Sequence, residues 1–310
     1  MGNYYDLIEG LKAAWIRWRN PELLKWVAIE FALGLVVIVL ALGVLAAMVG
    51  PDTLIKLANG GSSKSAAASG ALATALAAVI VPFIAILLVA LLIYGLFCFF
   101  FFQPRIMRAA LAANGAKVPA KLPSMLDWLV LHLRIFCVTI SCWYDKKLLA
   151  PAAGFLALTI LCAVAGFFVK PALVGAVAFG MLTLVCWLVA SSIQGLRAGF
   201  APWMFLRGDG PENQMPAVSN ELVHGQTLEV FIANFFFGLA FGLVAVGVAI
   251  VRVILGFIPY VGSLMDLLVN LAFNVFTQAF SMSIGADIFL FFDKAGPVNV
   301  RTAPASKKKK

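Results

Sequence analysis

The chain has 310 residues, of which 63% are hydrophobic and only 12% are charged, and its net charge at pH 7 is +9. A typical soluble domain is about half apolar and a quarter charged, so a soluble fold of this length has no interior for the apolar surplus. Nucleic-acid binding is not indicated either, because the basic residues follow no helix-turn-helix, zinc-finger or basic-aromatic pattern. The composition predicts an integral membrane protein, with the lipid bilayer as its first partner.

Residues 1–22 are predicted to form an amphipathic helix in the membrane interface. Its apolar face carries, at helical spacing, Tyr4, Leu7, Ile8, Leu11, Trp15 and Trp18. Tryptophan favours the headgroup level and basic groups are attracted to anionic lipid headgroups. The expected interfacial anchors are therefore Trp15, Trp18, Arg17 and Arg19. Asn20 and Pro21 suit the N-cap and first position of the next helix, which predicts a break there. The alternative is that this face packs on another subunit.

Residues 23–293 are predicted to form a transmembrane domain of six helices. Each helix contains a charge-free run close to the ~20 residues needed to cross a bilayer. The predicted bounds are 23–49, 70–102, 148–169, 172–196, 228–256 and 263–292. The predicted fold class is all-α: a polytopic transmembrane helix bundle of about six spans, with amphipathic interfacial helices.

Internal similarity predicts three repeats, each with an interfacial helix followed by a transmembrane hairpin. The stretch Trp18–Lys25 is similar to Trp143–Ala150, since both pass from aromatic residues through an Asn or Asp cap into Leu-Leu. Pro123–Val130 is likewise similar to Pro216–Val223. The predicted repeats are 1–104, 119–200 and 214–293.

The basic residues predict the orientation of the chain. Outside the spans, 19 Lys and Arg residues lie on the side of the two termini, and only Lys56, Lys64 and Lys170 lie on the other side. By the positive-inside rule, both termini and the basic tail 294–310 are cytoplasmic. The expected location is a prokaryotic cytoplasmic membrane. In a eukaryotic source, the terminal lysines would instead resemble an endoplasmic-reticulum retrieval signal.

The sixth predicted helix carries a polar stripe. Its members are Asp266, Asn270, Asn274, Gln278, Ser281 and Asp287. Because polar groups in lipid are costly, these side chains are expected to face protein or water. Two interpretations remain open: a polar path for a solute, or hydrogen bonds between helices. Arg252 and Asp266 flank a short turn and are expected to form an ion pair.

No catalytic or cofactor chemistry is predicted. His132 and His224 have no Cys, His or carboxylate neighbours at metal-ligand spacing, and no nucleophile or phosphate-binding motif occurs. The sequence therefore predicts no catalytic residues, no cofactor and no metal site, and a protein that is not an enzyme.

Short motifs carry a resemblance to known membrane proteins. They are Phe200–Trp203, Ala217–Gly225 and Ile258–Gly262, the last within a hydrophobic hairpin. This layout resembles the glycerophosphodiester-phosphodiesterase membrane-domain superfamily, the non-catalytic anchor of that enzyme. Gly10-Leu11 followed by Asn20–Lys25 also resembles the CysZ-type sulfate permeases. The resemblance implies a six-helix fold and assigns no functional residue.

Two functional hypotheses follow. The first is a non-enzymatic membrane scaffold or accessory subunit of a larger assembly, whose partner is another protein or a second copy of the chain. The alternative is a small-solute or anion permease or channel with a polar path along the sixth helix. They differ in whether the polar stripe contacts neighbouring helices or lines a water-filled cavity.

Overall fold

The computed structural model describes residues 5–50, 66–258 and 261–295, and no β-strand occurs among them. Tyr4, the loop with Lys56 and Lys64, and most of the 294–310 tail lie outside the described residues. The helices are α1 Leu7–Arg17, α2 Pro21–Val49, α3 Ala66–Phe97, α4 Gln103–Ala113, α5 Met125–Ser141, α6 Ala150–Gly166, α7 Ala172–Ala198, α8 Ala201–Arg207, α9 Met215–His224, α10 Thr227–Gly256 and α11 Val261–Ala295.

Six helical segments within the described residues are long and apolar enough to cross a membrane. They are Pro21–Met48, Val81–Ala113, Lys146–Gly166, Ala172–Arg207, Thr227–Gly256 and Met265–Lys294. This confirms the predicted all-α, multi-pass fold. Large apolar side chains are left on the outside, as with Phe167 and Phe168, which are 88% and 86% exposed. Such a surface is stable only if lipid takes the place of water around it.

The chain breaks between α1 and α2, as predicted. Asp6 caps α1 by accepting hydrogen bonds from the backbone N–H groups of Ile8 at 2.9 Å and Glu9 at 3.1 Å. The helix ends at Arg17, and α2 begins at Pro21, whose fixed φ suits the first helical position.

The predicted end of the second span at residue 102 is wrong. The helix continues from α3 through a π-helical turn, Cys98–Phe102, into α4, which ends at Ala113. A proline in a regular helix lacks one donor and clashes with the carbonyl four residues earlier. The wider π turn gives Pro104 room, and the Arg105 guanidinium donates to the Phe101 carbonyl at 2.6 Å. The helix therefore continues through Pro104, although a proline usually ends a helix.

The third span ends at Gly166, three residues before the predicted bound. The backbone N–H groups of Phe167 and Phe168 donate hydrogen bonds to the carbonyls of Val164 and Ala165, at 3.2 and 3.0 Å respectively. Pro171 disfavours helical geometry at the residue before it, so the chain turns before α7 begins at Ala172.

The chain divides into two compact units, Pro21–Ile106 and the remainder. In the first unit, α2 packs against α3. In the second, α6 pairs with α7 and α10 with α11, while α5 and α9 pack on α7 and α1 packs on α11. Each hairpin follows a short helix, in the order that the repeats predict. The division tests no repeat boundary, so the three repeats stay a prediction.

Close helix contact in the α6–α7 hairpin depends on small residues. A Cβ atom added to Gly175 would lie 3.2 Å from the Cys162 sulfur, closer than most contacts, whereas one added to Gly180 would lie at an ordinary 3.7 Å from the Thr159 methyl group. Without a side chain at Gly175 the two backbones approach closely, as is usual for helix pairs in membranes.

Candidate functional site

The first half of the α11 polar stripe forms one hydrogen-bonded cluster with α10. The Arg252 guanidinium contacts Asp266 through two bonds, Nε to Oδ1 at 2.6 Å and a terminal nitrogen to Oδ2 at 3.1 Å. The Asn270 side-chain oxygen accepts from Arg252 at 3.4 Å and from the Asn274 amide at 3.3 Å. The ion pair expected from sequence is therefore present, and two stripe amides extend it.

Ser281 and Asp287 of the stripe have other partners. The Ser281 hydroxyl donates to the Gln278 carbonyl of its own helix at 3.0 Å. Asp287 lies in a different cluster, with residues of α1. The stripe that the sequence presents as continuous is thus divided between two sets of partners.

Asp287 holds α1 onto α11. One carboxylate oxygen pairs with Arg17 and the other accepts from the Tyr5 hydroxyl at 2.9 Å. Arg17 also donates to the Asn114 side-chain oxygen at 2.6 Å, and the Asn114 amide donates to the Ser283 carbonyl at 3.1 Å. Burial, reinforced by the Asp287 carboxylate, raises the pKa of Tyr5, so its hydroxyl stays a donor.

The role predicted for Arg17 differs from its observed contacts. The sequence predicts a lipid anchor, whereas its guanidinium binds Asp287 and Asn114 within the protein. Its side chain is 35% exposed and that of Asp287 is 20% exposed, so the pair is partly shielded from solvent. Sequence periodicity placed Arg17 on the polar face of α1. It could not predict a contact with Asp287, which is 270 residues away in the sequence.

Two ion pairs mark two levels along α11. Asp266 and Asp287 are separated by about 31 Å at 1.5 Å per helical residue. The hydrocarbon core of a bilayer is about 30 Å thick. The Arg252–Asp266 and Arg17–Asp287 pairs therefore have the spacing of opposite membrane interfaces, with Asn270, Asn274, Gln278 and Ser281 of the stripe between them.

Ion pairs made by Arg197 and by Arg207 were missed from the sequence. Arg197 at the end of α7 contacts Asp145 at 2.9 Å and the Thr227 hydroxyl at 3.0 Å. The bond from Arg197 lowers the pKa of Asp145 below its ordinary value. The partners are 52 residues apart, and a basic residue after a span indicates only the side of the membrane, not its partner.

The second missed pair joins α8 to the end of α11. Arg207 contacts Asp293 at 2.6 Å and Asp209 at 2.7 Å, and its guanidinium lies 4.8 Å from the centre of the Phe289 ring. Together with Arg17–Asp287 and Arg197–Asp145, it forms a group of ion pairs around the ends of the long helices.

The aromatic face of α1 packs on the hairpin rather than only on lipid. The rings of Trp15 and Trp18 meet Phe276 edge to face, with centroids 6.0 and 5.1 Å away, and Trp15 also meets Phe280 at 6.3 Å. The Arg19 guanidinium lies 5.4 Å from the Trp15 ring centre and 5.8 Å from that of Trp18. Trp15 is still 51% exposed.

A groove of about 640 Å³ lies between α1 and the α10–α11 hairpin. Lys12, Trp15 and Ile16 line it from α1, Phe241 from α10, and Phe276 and Phe280 from α11. Apart from Lys12 its side chains are apolar. Its volume is within the roughly 300–1,000 Å³ of small-molecule sites.

The Pro21–Ile106 unit contains a polar contact inside its apolar hairpin. The Tyr94 hydroxyl donates to the Glu30 carbonyl at 3.0 Å. A Cβ atom at Gly34 would lie 2.7 Å from that hydroxyl oxygen, so a larger residue there would displace the hydroxyl from its present position. The hairpin also has an apolar groove of about 510 Å³.

Among residues 5–50, 66–258 and 261–295, no group of three or more His, Cys, Asp or Glu side chains is placed to hold a metal ion. Comparison of the chain with protein-family models, curated proteins and solved structures found no match. The resemblance to the phosphodiesterase membrane domains and the sulfate permeases therefore stays a prediction.

Proposed function

We propose that the chain is a non-enzymatic membrane scaffold or accessory subunit of a larger assembly. The observation that best supports this is the use of polar groups on α11. Asp266 and Asn270 accept hydrogen bonds from Arg252 of α10, and Asn274 donates to Asn270 on its own helix. Interhelical hydrogen bonds of this kind hold transmembrane helices together. These bonds fix the packing of α10 on α11, and the outer faces of this hairpin then remain available to neighbouring proteins.

The ion pairs support the same proposal. Asp287 attaches α1, and Arg207 attaches α8 to the end of α11 through Asp293. In some proteins, buried ionic groups fix a defined geometry although they add little to net stability. Short helices held at fixed positions beside a hairpin form the rigid surface that an assembly factor needs.

The alternative is a small-solute or anion permease. The observation in its favour is that Asn270, Asn274 and Gln278 follow one another on a helix and are each only half-buried. Amides accessible along half of a span can exchange hydrogen bonds with a passing solute. With either function we propose a prokaryotic cytoplasmic membrane as the location and cytoplasmic termini as the orientation. The 19-to-3 basic asymmetry supports the orientation.

A flux experiment separates the two functions. The full chain, purified and reconstituted in liposomes, is challenged with sulfate, chloride and glycerol gradients, and vesicle volume is followed by stopped-flow light scattering. A scaffold leaves the permeability equal to that of empty liposomes. Flux that is lost in Asn274→Leu but kept in Ser192→Ala, a change on α7 where the hydroxyl bonds its own helix, would overturn the proposal.

A cross-linking experiment tests the scaffold directly. A photoreactive amino acid replaces Leu239, an exposed apolar residue of α10, in cells that make the full chain. A scaffold gives an adduct of one defined mass, either with another protein or with a second copy. Adducts with lipid alone, from Leu239 and equally from Ile160 of α6, would contradict an assembly role.

A further inference from the structure

We infer that the groove between α1 and the α10–α11 hairpin binds one anionic phospholipid, with an acyl chain in the groove and the phosphate at Lys12 and Arg19. This inference does not rest on the scaffold proposal, since either a scaffold or a permease can hold a structural lipid. It rests on the shape, depth and charge of the groove.

Depth is the first argument. Phe280 and Phe276 lie about 10 and 16 Å along α11 from Asp287, on the side toward Asp266. Because Asp287 and Asp266 have the spacing of the two interfaces, these rings lie at the depth of acyl chains. An apolar groove at that depth, open beside Ile16, which is 73% exposed, meets lipid chains rather than water.

Charge is the second argument. Lys12 is exposed at the wall of the groove, and Arg19 lies over the Trp15 ring, which also lines it. Neither basic group has an ion-pair partner among the described residues, whereas Arg17 beside them is engaged by Asp287. Basic groups near the membrane interface attract anionic lipids. Two cations without an ion-pair partner in the described part of the chain, next to an acyl-chain groove, therefore match an anionic headgroup on the same molecule.

Shape is the third argument. The groove has rigid walls because Phe241, Phe276 and Phe280 pack on one another, with ring centroids 5.2 to 6.4 Å apart. Trp15 closes one side by its contacts with Phe276 and Phe280. A preformed apolar site loses less conformational entropy on binding than one that must form around its ligand. A bound lipid is therefore expected to be longer-lived than the surrounding bilayer lipids.

The test uses bromine quenching of tryptophan fluorescence at constant membrane composition. The full chain is reconstituted in phosphatidylcholine containing about one-tenth phosphatidylglycerol. In one sample the phosphatidylglycerol chains carry bromine, and in the other an equal amount of phosphatidylcholine carries it. The signal of Trp15 is the difference between the native chain and Trp15→Phe. We expect stronger quenching when phosphatidylglycerol carries the bromine.

Variants test whether the preference for phosphatidylglycerol depends on this groove. Lys12→Gln and Arg19→Gln are each expected to lower the apparent preference for phosphatidylglycerol about fivefold. Lys117→Gln, which removes an exposed charge elsewhere, is expected to leave it unchanged. Ala240→Phe fills the groove and is expected to lower the quenching by both lipids. Lys12→Arg keeps the charge and the preference, which separates loss of charge from misfolding.

Two results overturn the inference. Equal quenching by the two brominated lipids shows that Trp15 meets only unselected bilayer lipid. A preference that survives in the Lys12→Gln, Arg19→Gln double variant shows that an anionic lipid binds somewhere other than this groove.

Discussion

Arg17 in the last turn of α1 pairs with Asp287 of α11 and donates to Asn114 through the same nitrogen. Asp287 at the same time accepts from Tyr5, which precedes the Asp6 cap of α1. One carboxylate thus contacts the last residue of this 11-residue helix and the segment just before it. Helices of that length are marginal on their own in water, so the position of α1 depends on these contacts and on its aromatic packing.

The first prediction is a strong coupling between Arg17 and Asp287. Arg17→Met and Asp287→Asn are each expected to lower the free energy of unfolding by about 1–3 kcal/mol, because each removes the charged partner of a partly buried group. The double variant is expected to cost less than the sum of the two. Equilibrium unfolding and limited proteolysis at α1 measure the effect.

Arg19→Met is the matched control for that cycle. Arg19 is exposed and lies over the Trp15 and Trp18 rings, so its loss is expected to cost about 1 kcal/mol or less. It should show no coupling to Asp287→Asn. Additive effects of Arg17→Met and Asp287→Asn would contradict the bridging role of Asp287.

The second prediction concerns the loss of stability at acidic pH. Since the folded state lowers the pKa of Asp145 through Arg197, the pair stabilises the fold above about pH 4, the ordinary aspartate range, and this contribution is lost as the pH falls below it. Asp145→Asn is expected to cost about 1–2 kcal/mol at pH 7 and progressively less below pH 4. His224, which also favours the charged carboxylate, stays in place in both proteins.

Thermal unfolding of the native chain and of Asp145→Asn, measured in parallel from pH 3 to pH 7, gives this difference directly. Titration of the other acidic groups cancels in the comparison. A stability difference that stays constant over the whole range would show that the Asp145 carboxylate has no linked titration.

Most of the fold could be predicted from local sequence signals. Most of the site could not, because it depends on contacts between residues that are far apart in the sequence. Charge-free runs located the spans, and the Asn20-Pro21 signal located the break after α1. Arg252 and Asp266 are 14 residues apart across a turn, so their pairing was predictable. Arg207 and Asp293 are 86 residues apart and depend on how the helices pack, which hydrophobic periodicity does not encode. The π turn before Pro104 was missed because proline usually ends a helix.

The third prediction tests the close contact in the α2–α3 hairpin. In the native chain, Gly34→Ala is expected to cost about 1–2 kcal/mol, because its Cβ displaces the Tyr94 hydroxyl from the Glu30 carbonyl. In a Tyr94→Phe background the same change is expected to be near neutral, since the hydroxyl is gone and alanine favours the helix. Gly43→Ala on the same helix has open space and is the control. An equal cost in both backgrounds would rule out the Tyr94 contact as the reason for glycine.

The last prediction is that the two ends of α7 lie on opposite sides of the membrane, with Lys170 outside and Asn213 inside. The physical reason is the positive-inside rule. Arg197 and Arg207 follow the apolar part of α7, whereas Lys170 is the single basic residue of the connection before it. In a variant without the five native cysteines, an impermeant maleimide added to intact cells should label Lys170→Cys at once. It should label Asn213→Cys only after the membrane is opened, and Lys121→Cys, expected on the inner side, should behave in the same way.

Labelling of Lys170→Cys and Asn213→Cys from one side would mean that α7 does not cross the bilayer. The reverse pattern would keep the six spans but invert the orientation, and the phosphatidylglycerol site at Lys12 would then face the outer leaflet.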